Sequence, residues 1–332
     1  MYFCVAKLYF LIWLKVMQRP FILKNIALYR ILQAIPSLSY TDTKRLNSTV
    51  KKKLDSDVVG KVIADREQCV SECPHCNSVE FCKHGVTAKG IQRYRCKGCK
   101  KTFCSLTKTP LFRMRKEEKW LEYVSMMWEG VALRKIAKAL NINLRTAFFW
   151  RHRFLQMPDK NKPTSFTGII EADEAFLPES FKGKRKMPRD SRKRGGGKVP
   201  LVPILISYQR GDRFTYEVMD RNTKENLSNA ITPLLSDGCC LCTDGNVSYK
   251  NIVKDLDINL DHKRIIATDG RVIDGVYHIQ HVNGFISLWK AWLDRFRGVG
   301  TAYVSHYLAW YIWMQDKSYG EEDCWLREAS QS

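Results

Sequence analysis

Hydrophobic positions along this chain alternate between two regimes, one with helical spacing and one with the spacing of buried strands. Trp120, Leu121, Val124, Met127 and Trp128 recur at helical intervals and stop at Gly130, which predicts an amphipathic helix closed by a glycine. Leu133, Ile136, Ala137 and Leu140 share one face of a second helix, Asn141-Ile142-Asn143 supplies a turn with an N-cap, and a third helix runs from Leu144 to Phe154. From Phe166 the pattern turns to strands. Residues 168–174 form an apolar strand ending in carboxylates, and Val199 to Tyr208 with Phe214 to Val218 read as a hairpin about Arg210-Gly211-Asp212. A helix from about Lys224 to Leu235 leads into another buried strand, Cys239 to Asp244. Trp289, Trp292, Tyr303, Tyr307, Trp310, Tyr311 and Trp313 make a helical stripe read as packing, with base stacking by one of them left open. The fold class is α/β and multidomain.

Composition narrows the partners. Of 332 residues, 55 are Lys or Arg and 34 are Asp or Glu, a formal charge of +21, and 45% are hydrophobic. That is enough apolar material for packed cores and excludes global disorder. So large a positive charge points to a polyanion, with nucleic acid the leading class and an anionic membrane surface the rival. The apolar run Leu8 to Leu14 is too short to cross a bilayer. Its flanking charges follow it and no small-residue cleavage site comes after, so export is not expected. No membrane and no small-molecule substrate are expected.

The cysteines cluster rather than scatter. Cys73-Pro74-His75-Cys76 and Cys96-Lys97-Gly98-Cys99 are two C-x-x-C knuckles with the separation of a zinc site. Each knuckle turns two thiolates toward one point, so Cys73, Cys76, Cys96 and Cys99 complete a tetrahedral Zn(II) shell. Glu80 to His84 and Gln92 to Arg95 read as strands between the knuckles, the arrangement of a zinc ribbon. A redox dithiol is the competitor for a single C-x-x-C. Cys82, Cys104, His75 and His84 are left to packing or solvent.

Helix, short turn, then a basic helix is the helix-turn-helix arrangement, with a plain helical bundle as the alternative. On the last helix Arg145 and Thr146 stand where base contacts are expected, and Arg151 and Arg153 add positive charge. A basic stretch containing Lys184, Arg185, Lys186, Arg192, Lys193 and Arg194 reads either as a phosphate-contacting loop or as a solvated linker.

Carboxylates at the ends of apolar strands need a reason in so basic a chain. Two strands that each deliver an Asp at one end can set Asp173 and Asp244 side by side, and paired hard carboxylates bind Mg(II) or Mn(II). Asp before Gly is also common turn chemistry, so Asp244 alone would carry little weight.

Several motifs in one order make the reading specific: Cys73-Pro74-His75-Cys76, Gln92-Arg93-Tyr94-Arg95-Cys96, Lys101-Thr102-Phe103, Leu106-Thr107-Lys108-Thr109-Pro110-Leu111, Trp150-Arg151-His152-Arg153-Phe154, Glu171-Ala172-Asp173-Glu174, Cys242-Thr243-Asp244-Gly245 and His278-Ile279-Gln280-His281-Val282-Asn283. With these, the chain from about Arg66 to Trp313 resembles the zinc-ribbon DDE transposases of bacterial insertion sequences, the ISXO2-like group related to Merlin transposons. The resemblance implies a ribonuclease H-like mixed-sheet domain with Asp173 and Asp244 as the first two metal positions. Many relatives place Glu at the third position, whereas here Asn283 occupies it, as in one branch of the family. Asn offers a neutral carbonyl oxygen, a weaker ligand than a carboxylate. Lys290 stands two helical turns on and can share a cleft with Asn283, where it would hold a DNA phosphate; its alternative is a snorkelling surface lysine.

The organisation implied is an extension of unclear role over 1–65, a zinc ribbon over 66–109, a helix-turn-helix over 110–158, a catalytic domain over 165–316 with a basic loop at 181–198, and a tail over 317–332. The activity implied is metal-dependent cleavage of transposon ends and joining to target double-stranded DNA. A homodimer or larger synaptic complex and a cytoplasmic or nucleoid location, nuclear in a eukaryote, come with it. The alternatives are a DNA-binding regulator, a nuclease that cuts without joining, and a decayed copy that binds without cutting.

Overall fold

The computed structural model describes residues 26–160, 162–184, 186–187, 199–266, 268, 270–315 and 324–331. The chain divides into two compact units, Met1–Asp57 and Val58–Ser332. In the first, helix α1 (Ile26–Ala34) is followed by a 3-10 turn and by the start of a long helix, α2 (Tyr40–Gln68), that runs on into the second. The polar stretch of α2 is capped by Ser39, whose hydroxyl accepts the Asp42 amide at 3.1 Å. Among the described residues, no helix is long and apolar enough to cross a membrane.

The second unit opens with a small three-stranded antiparallel sheet, β1 (Phe81–Val86), β2 (Gln92–Cys96) and β3 (Thr102–Cys104). The sequence pattern anticipates the first two strands and misses the third, which is too short to show a period. Phe81, Tyr94 and Phe103 pack on one another with ring centroids 5.3–5.5 Å apart, giving the sheet its own small core.

Helices α3 (Trp120–Trp128), α4 (Leu133–Ala139) and α5 (Leu144–Lys160) come next, close to the limits that the apolar spacing predicts. Gly130 closes α3 with φ of 68°, and a β-carbon there would stand 2.5 Å from Nη1 of Arg295. Phe154 and Leu155 of α5 lie in the same apolar cluster as Trp289 and Trp310 and as Ile204 and Ile206 of a second, larger sheet. The helical segment therefore shares its core with that sheet.

The large sheet has five strands: β4 (Ile169–Pro178), β5 (Leu201–Gln209), β6 (Phe214–Val218), β7 (Cys240–Asp244) and β8 (Asp261–Ile265). Their order is β6-β5-β4-β7-β8. The first three are antiparallel neighbours, whereas β4, β7 and β8 run parallel. This is a mixed sheet like that of the ribonuclease H fold. Helices α6 (Lys224–Ile231) and α7 (Val247–Asp255) connect the strands and cover one face, where Ile170, Ala172, Leu205, Leu227, Leu241 and Ile252 are buried together. Helices α8 (Gln280–Asp294) and α9 (Val304–Gln315) cover the other, against Ala175, Ile204 and Ile206. Strand alternation divides the side chains between the faces: even positions of β4 from Ile170 to Ala172 go to the α6/α7 side, and Glu171 goes to α8. A short helix, α10 (Cys324–Gln331), buries Leu326 and Ala329.

Candidate active site

β4 keeps its antiparallel partner to Pro178 but loses its parallel one early. Its last pairing with β7 is Ala172 to Thr243. Beyond that point the sheet forks, and three carboxylates meet in the fork: Asp173, Glu174 and Asp244 each bring an oxygen within 4.8 Å of the others. The Glu174 amide, past the last β7 pairing, donates to Asp173 Oδ1 at 2.8 Å. On the β7 side Asp244 Oδ1 accepts the Asn246 amide at 3.0 Å, which fixes that carboxylate at the entrance to α7.

Asp173 and Glu174 are consecutive and leave the strand on opposite faces. They converge because the fork is an edge, where both faces are open. Asp173 lies on the α8 side and Glu174 on the α7 side, beside the Asn246 side chain at 3.4 Å and the buried Tyr249.

The electrostatics are those of a site with surplus negative charge. Burial pushes the Asp173 carboxyl up to about 6, and the Asp244 charge adds to it against the pull of the Glu174 amide and of Lys290. Burial and then the Asp244 and Asp173 charges push Glu174 up to about 7. The Tyr249 phenol is held well above its ordinary value by burial and by the same three carboxylates. Hard oxygen donors converging in this way suit a divalent cation with oxygen preference. The donor set fits Mg(II) or Mn(II).

Lys290, on α8, is near enough for its charge to act on Asp173. Asn283 is exposed two turns earlier on the same helix. Its backbone carbonyl accepts the Ser287 hydroxyl at 2.9 Å, and among the described residues its side chain makes no hydrogen bond. The close cluster thus consists of two predicted residues, Asp173 and Asp244, and of Glu174, which strand alternation assigns to the other face.

Glu171, fully buried on the same strand, does different work. Its Oε1 receives Arg210 Nε at 2.8 Å and lies 2.7 Å from Nδ1 of His281 and 3.4 Å from Nδ1 of His278. Its Oε2 accepts the backbone amides of His281 at 3.1 Å and Val282 at 3.4 Å. Those amides belong to the first turn of α8, so a strand carboxylate caps the helix that carries Asn283 and Lys290. With Arg210 already on the carboxylate, the cluster of Glu171, His278 and His281 is saturated by donors rather than open to a cation.

In the ribbon, Cys73, Cys76, Cys96 and Cys99 gather as the knuckle spacing predicts. Cys73 Sγ and Cys99 Sγ are 3.7 Å apart, and Cys76 Sγ and Cys96 Sγ 3.6 Å. Four sulfurs on a tetrahedron about 2.3 Å from its centre stand about 3.8 Å apart, whereas a disulfide would need about 2 Å. The quartet fits Zn(II). The amides of His75 and Cys99 point at Cys73 Sγ and Cys96 Sγ, each at 3.4 Å. Cys96 is lowered to about 6, the Cys99 amide and the other thiols outweighing burial. Cys99 is raised to about 11 against the pull of the Lys101 amide, by burial and its sulfur neighbours. Cys82 is exposed and Cys104 lies outside the quartet.

The basic residues divide. Arg145 is exposed, its amide bonded to Asn143 Oδ1 at 2.8 Å, and Thr146 beside it is half-buried. Lys184 and Lys186 are exposed, whereas Arg185, Arg192, Lys193 and Arg194 lie outside the described residues. Two expectations are corrected. Arg151 is fully buried, donating to the Val131 carbonyl at 2.6 Å with its guanidinium 4.8 Å from the Trp310 ring centre. Arg153 spends its guanidinium on the carbonyls of Pro110 and Phe112. In both, a helix face that looks basic in sequence turns inward because its neighbours Trp150, Phe154 and Leu155 are core. Lys182, just ahead of the basic stretch, donates to the carbonyls of Phe296, Arg297 and Gly298 at 3.0, 2.9 and 2.7 Å.

Comparison with known proteins finds relatives of this chain. The family model described as ISXO2-like transposase domain matches residues 165–316. A Halobacterium salinarum protein named as an uncharacterized protein in transposable element ISH50 is 26% identical over 248 residues, covering 71% of this chain and 82% of its own. The iso-IS1N insertion element protein InsA of Shigella dysenteriae is 34% identical over 74 residues, 22% of this chain and 79% of its own. The crystal structure of the Mos1 strand transfer complex aligns over 59% of this chain and 75% of that one at 12% identity and a TM-score of 0.22, too slight a likeness to carry an argument.

Proposed function

Because the chain belongs to the ISXO2-like transposase family through residues 165–316, we propose that it cuts the ends of a DNA element and joins them to target DNA by divalent-metal-dependent phosphoryl transfer. The observation that carries this reading is the meeting of Asp173, Glu174 and Asp244 in the fork of the sheet, beneath the charge of Lys290.

In this reading Asp173 and Asp244 would hold the catalytic ions, Glu174 would add a carboxylate from the α7 side, and Asn283 would offer its side-chain carbonyl oxygen from α8. Divalent ions bound there would supply activation of an attacking oxygen and stabilisation of the leaving one. Every other part belongs to the chain. Lys290 orients a DNA phosphate over the carboxylates, and Arg145 with Thr146 engages the duplex away from the scissile bond. Water is the first nucleophile and the released 3′-OH the second, with no covalent protein intermediate. The four-cysteine ribbon, with zinc bound, is a rigid and basic DNA-facing element that takes no part in the chemistry. A homodimer or larger assembly holds two ends together.

The test is a gel assay on supercoiled DNA carrying the element's own ends, with Mg(II) or Mn(II), comparing the parent with Asp173→Ala and Asp244→Ala. Metal-dependent cleavage and joining in the parent, lost in both variants while DNA binding persists, is the expected result. Binding without metal-dependent cutting in the parent would point to a regulator or a decayed copy.

A further inference from the structure

Away from the carboxylates, a cavity of about 600 Å³ opens between helices α4 and α5 and the loop after α8. Its size is that of a pocket for one small organic group rather than a channel for a duplex. Arg134, Arg151, Lys182, Arg295 and Arg297 line it, and among the described residues no Asp or Glu does. Five cations around one hollow, with no carboxylate among them, repel one another unless an anion joins them.

Aromatic rings make up the wall. Phe148 and Tyr303 meet edge to face at 5.2 Å, and the His152 ring lies 4.4 Å from the first and 4.1 Å from the second. Part of Tyr303 remains exposed to the cavity, unlike the stripe residues Trp289 and Trp310, which are fully buried.

Behind the aromatic wall, closed off from the cavity, lie polar groups without hydrogen-bond partners. Arg151 is fully buried, yet its Nε and Nη1 make no hydrogen bond, and neither does Nε2 of His152. Burial, His306 and Arg151 hold His152 down to about 3, so this ring is neutral at physiological pH. Lys182 is committed to backbone carbonyls, which leaves the exposed Arg134, Arg295 and Arg297 as the cations that can meet a phosphate.

A planar ring against Phe148 and Tyr303 and a phosphate at the exposed Arg134, Arg295 and Arg297 together describe one ligand class. We propose that this cavity is a socket for a single unpaired nucleotide of the bound DNA, its base against the aromatic wall and its phosphate at the rim. The inference rests on the proposed function, in which the chain binds DNA. Stacking on aromatic rings is tolerant of sequence, so the socket selects for an extrahelical base rather than for a particular one.

The experiment measures binding of the full chain, by fluorescence anisotropy, to three otherwise identical duplexes: fully paired, with one unpaired nucleotide, and with that nucleotide abasic. The unpaired base should tighten binding about tenfold, the order contributed by one stacked base, and the abasic version should lose most of the gain. Tyr303→Ala should abolish the preference while leaving affinity for the paired duplex unchanged. Arg134→Glu with Arg297→Glu, both at exposed positions, should abolish the preference without touching the core, while the lost positive charge weakens binding to all three DNAs alike. Equal affinity for the three DNAs in the parent, or a preference that survives in both variants, overturns the socket and leaves the transposase reading standing. Absence of binding to all three overturns both.

Discussion

The carboxylate of Glu171 accepts the backbone amide of His281 at 3.1 Å, so a buried acid on strand β4 holds the first turn of helix α8. Two residues further along the same strand stands Asp173, and along the same helix stand Asn283 and Lys290. One side chain thus sets the distance between the two halves of the proposed site. Removing one partner of a buried ion pair typically costs about 3–5 kcal/mol, so Glu171→Ala should lower stability by that order, leaving Arg210 and the α8 amides without their acceptor. Glu171→Gln keeps an acceptor and should lose less. Urea unfolding of the three proteins measures the difference, and equal stabilities would show that the helix is held elsewhere.

Glu174 is the residue that most distinguishes this site from a pair of aspartates. Glu174→Gln should weaken Mn(II) binding by about tenfold or more, as loss of a residue that supports metal ligands commonly does. Titration calorimetry on the purified chain reads it directly. Unchanged affinity would confine the ion to Asp173 and Asp244.

The same carboxylates predict a pH dependence with an unusual sign. Asp173 is raised from its ordinary value to about 6 and Glu174 to about 7. A folded acid with a raised pKa binds its proton more tightly than the unfolded chain does. The resulting stability is fully present below about pH 4, the unfolded range of these acids, and is lost as pH rises from there through about 6 and 7. Metal-free protein should therefore melt at a lower temperature at pH 8 than at pH 5 on account of this cluster, and Asp173→Asn with Glu174→Gln should flatten that slope. Mn(II) should raise the melting temperature more at pH 8 than at pH 5.

Zinc should behave as a folding component of the ribbon. Metal analysis of the purified chain should find one zinc per chain, and Cys96→Ser should release it. Chelation should loosen the packing of Phe81, Tyr94 and Phe103, because a core this small depends on the metal. Retention of that packing in near-ultraviolet circular dichroism after zinc removal would contradict this.

Arginines on α5 should separate by role. Arg145→Ala should weaken DNA binding and reduce its salt dependence without changing the melting temperature. Arg151→Ala should destabilise the fold, because it empties a space between Trp310 and Phe296 and strips the Val131 carbonyl of its donor. A loss of DNA binding in Arg151→Ala at unchanged stability would reverse that assignment.

Much of this architecture is legible in the chain because it rests on local signals. Knuckle spacing announces the cysteine quartet, apolar periodicity announces α3 to α5, and apolar runs leading into Asp announce the pairing of Asp173 with Asp244, although β4 continues past Asp173 to Pro178. What the pattern does not carry depends on where strands part. Glu174 joins the carboxylates only because β4 outlasts its pairing with β7, a relationship between segments some seventy residues apart. The burial of Arg151 is hidden for a similar reason: its helix packs on Trp310, far along the chain. β8 is a short strand of mixed polarity that offers no period to read.

Lys182 completes a picture that Glu171 begins. The acid meets the amides at the start of α8, and the ammonium meets the carbonyls just beyond its end. Each is the sign of charge that the helix dipole favours there. Both come from one short stretch, β4 and the residues directly after it. Helix α8 is therefore a beam pinned at both supports by the strand that carries the carboxylates. It has little freedom to slide along its axis or to swing away, and the spacing of Lys290 and Asn283 from Asp173 is set in the folded chain before any DNA arrives.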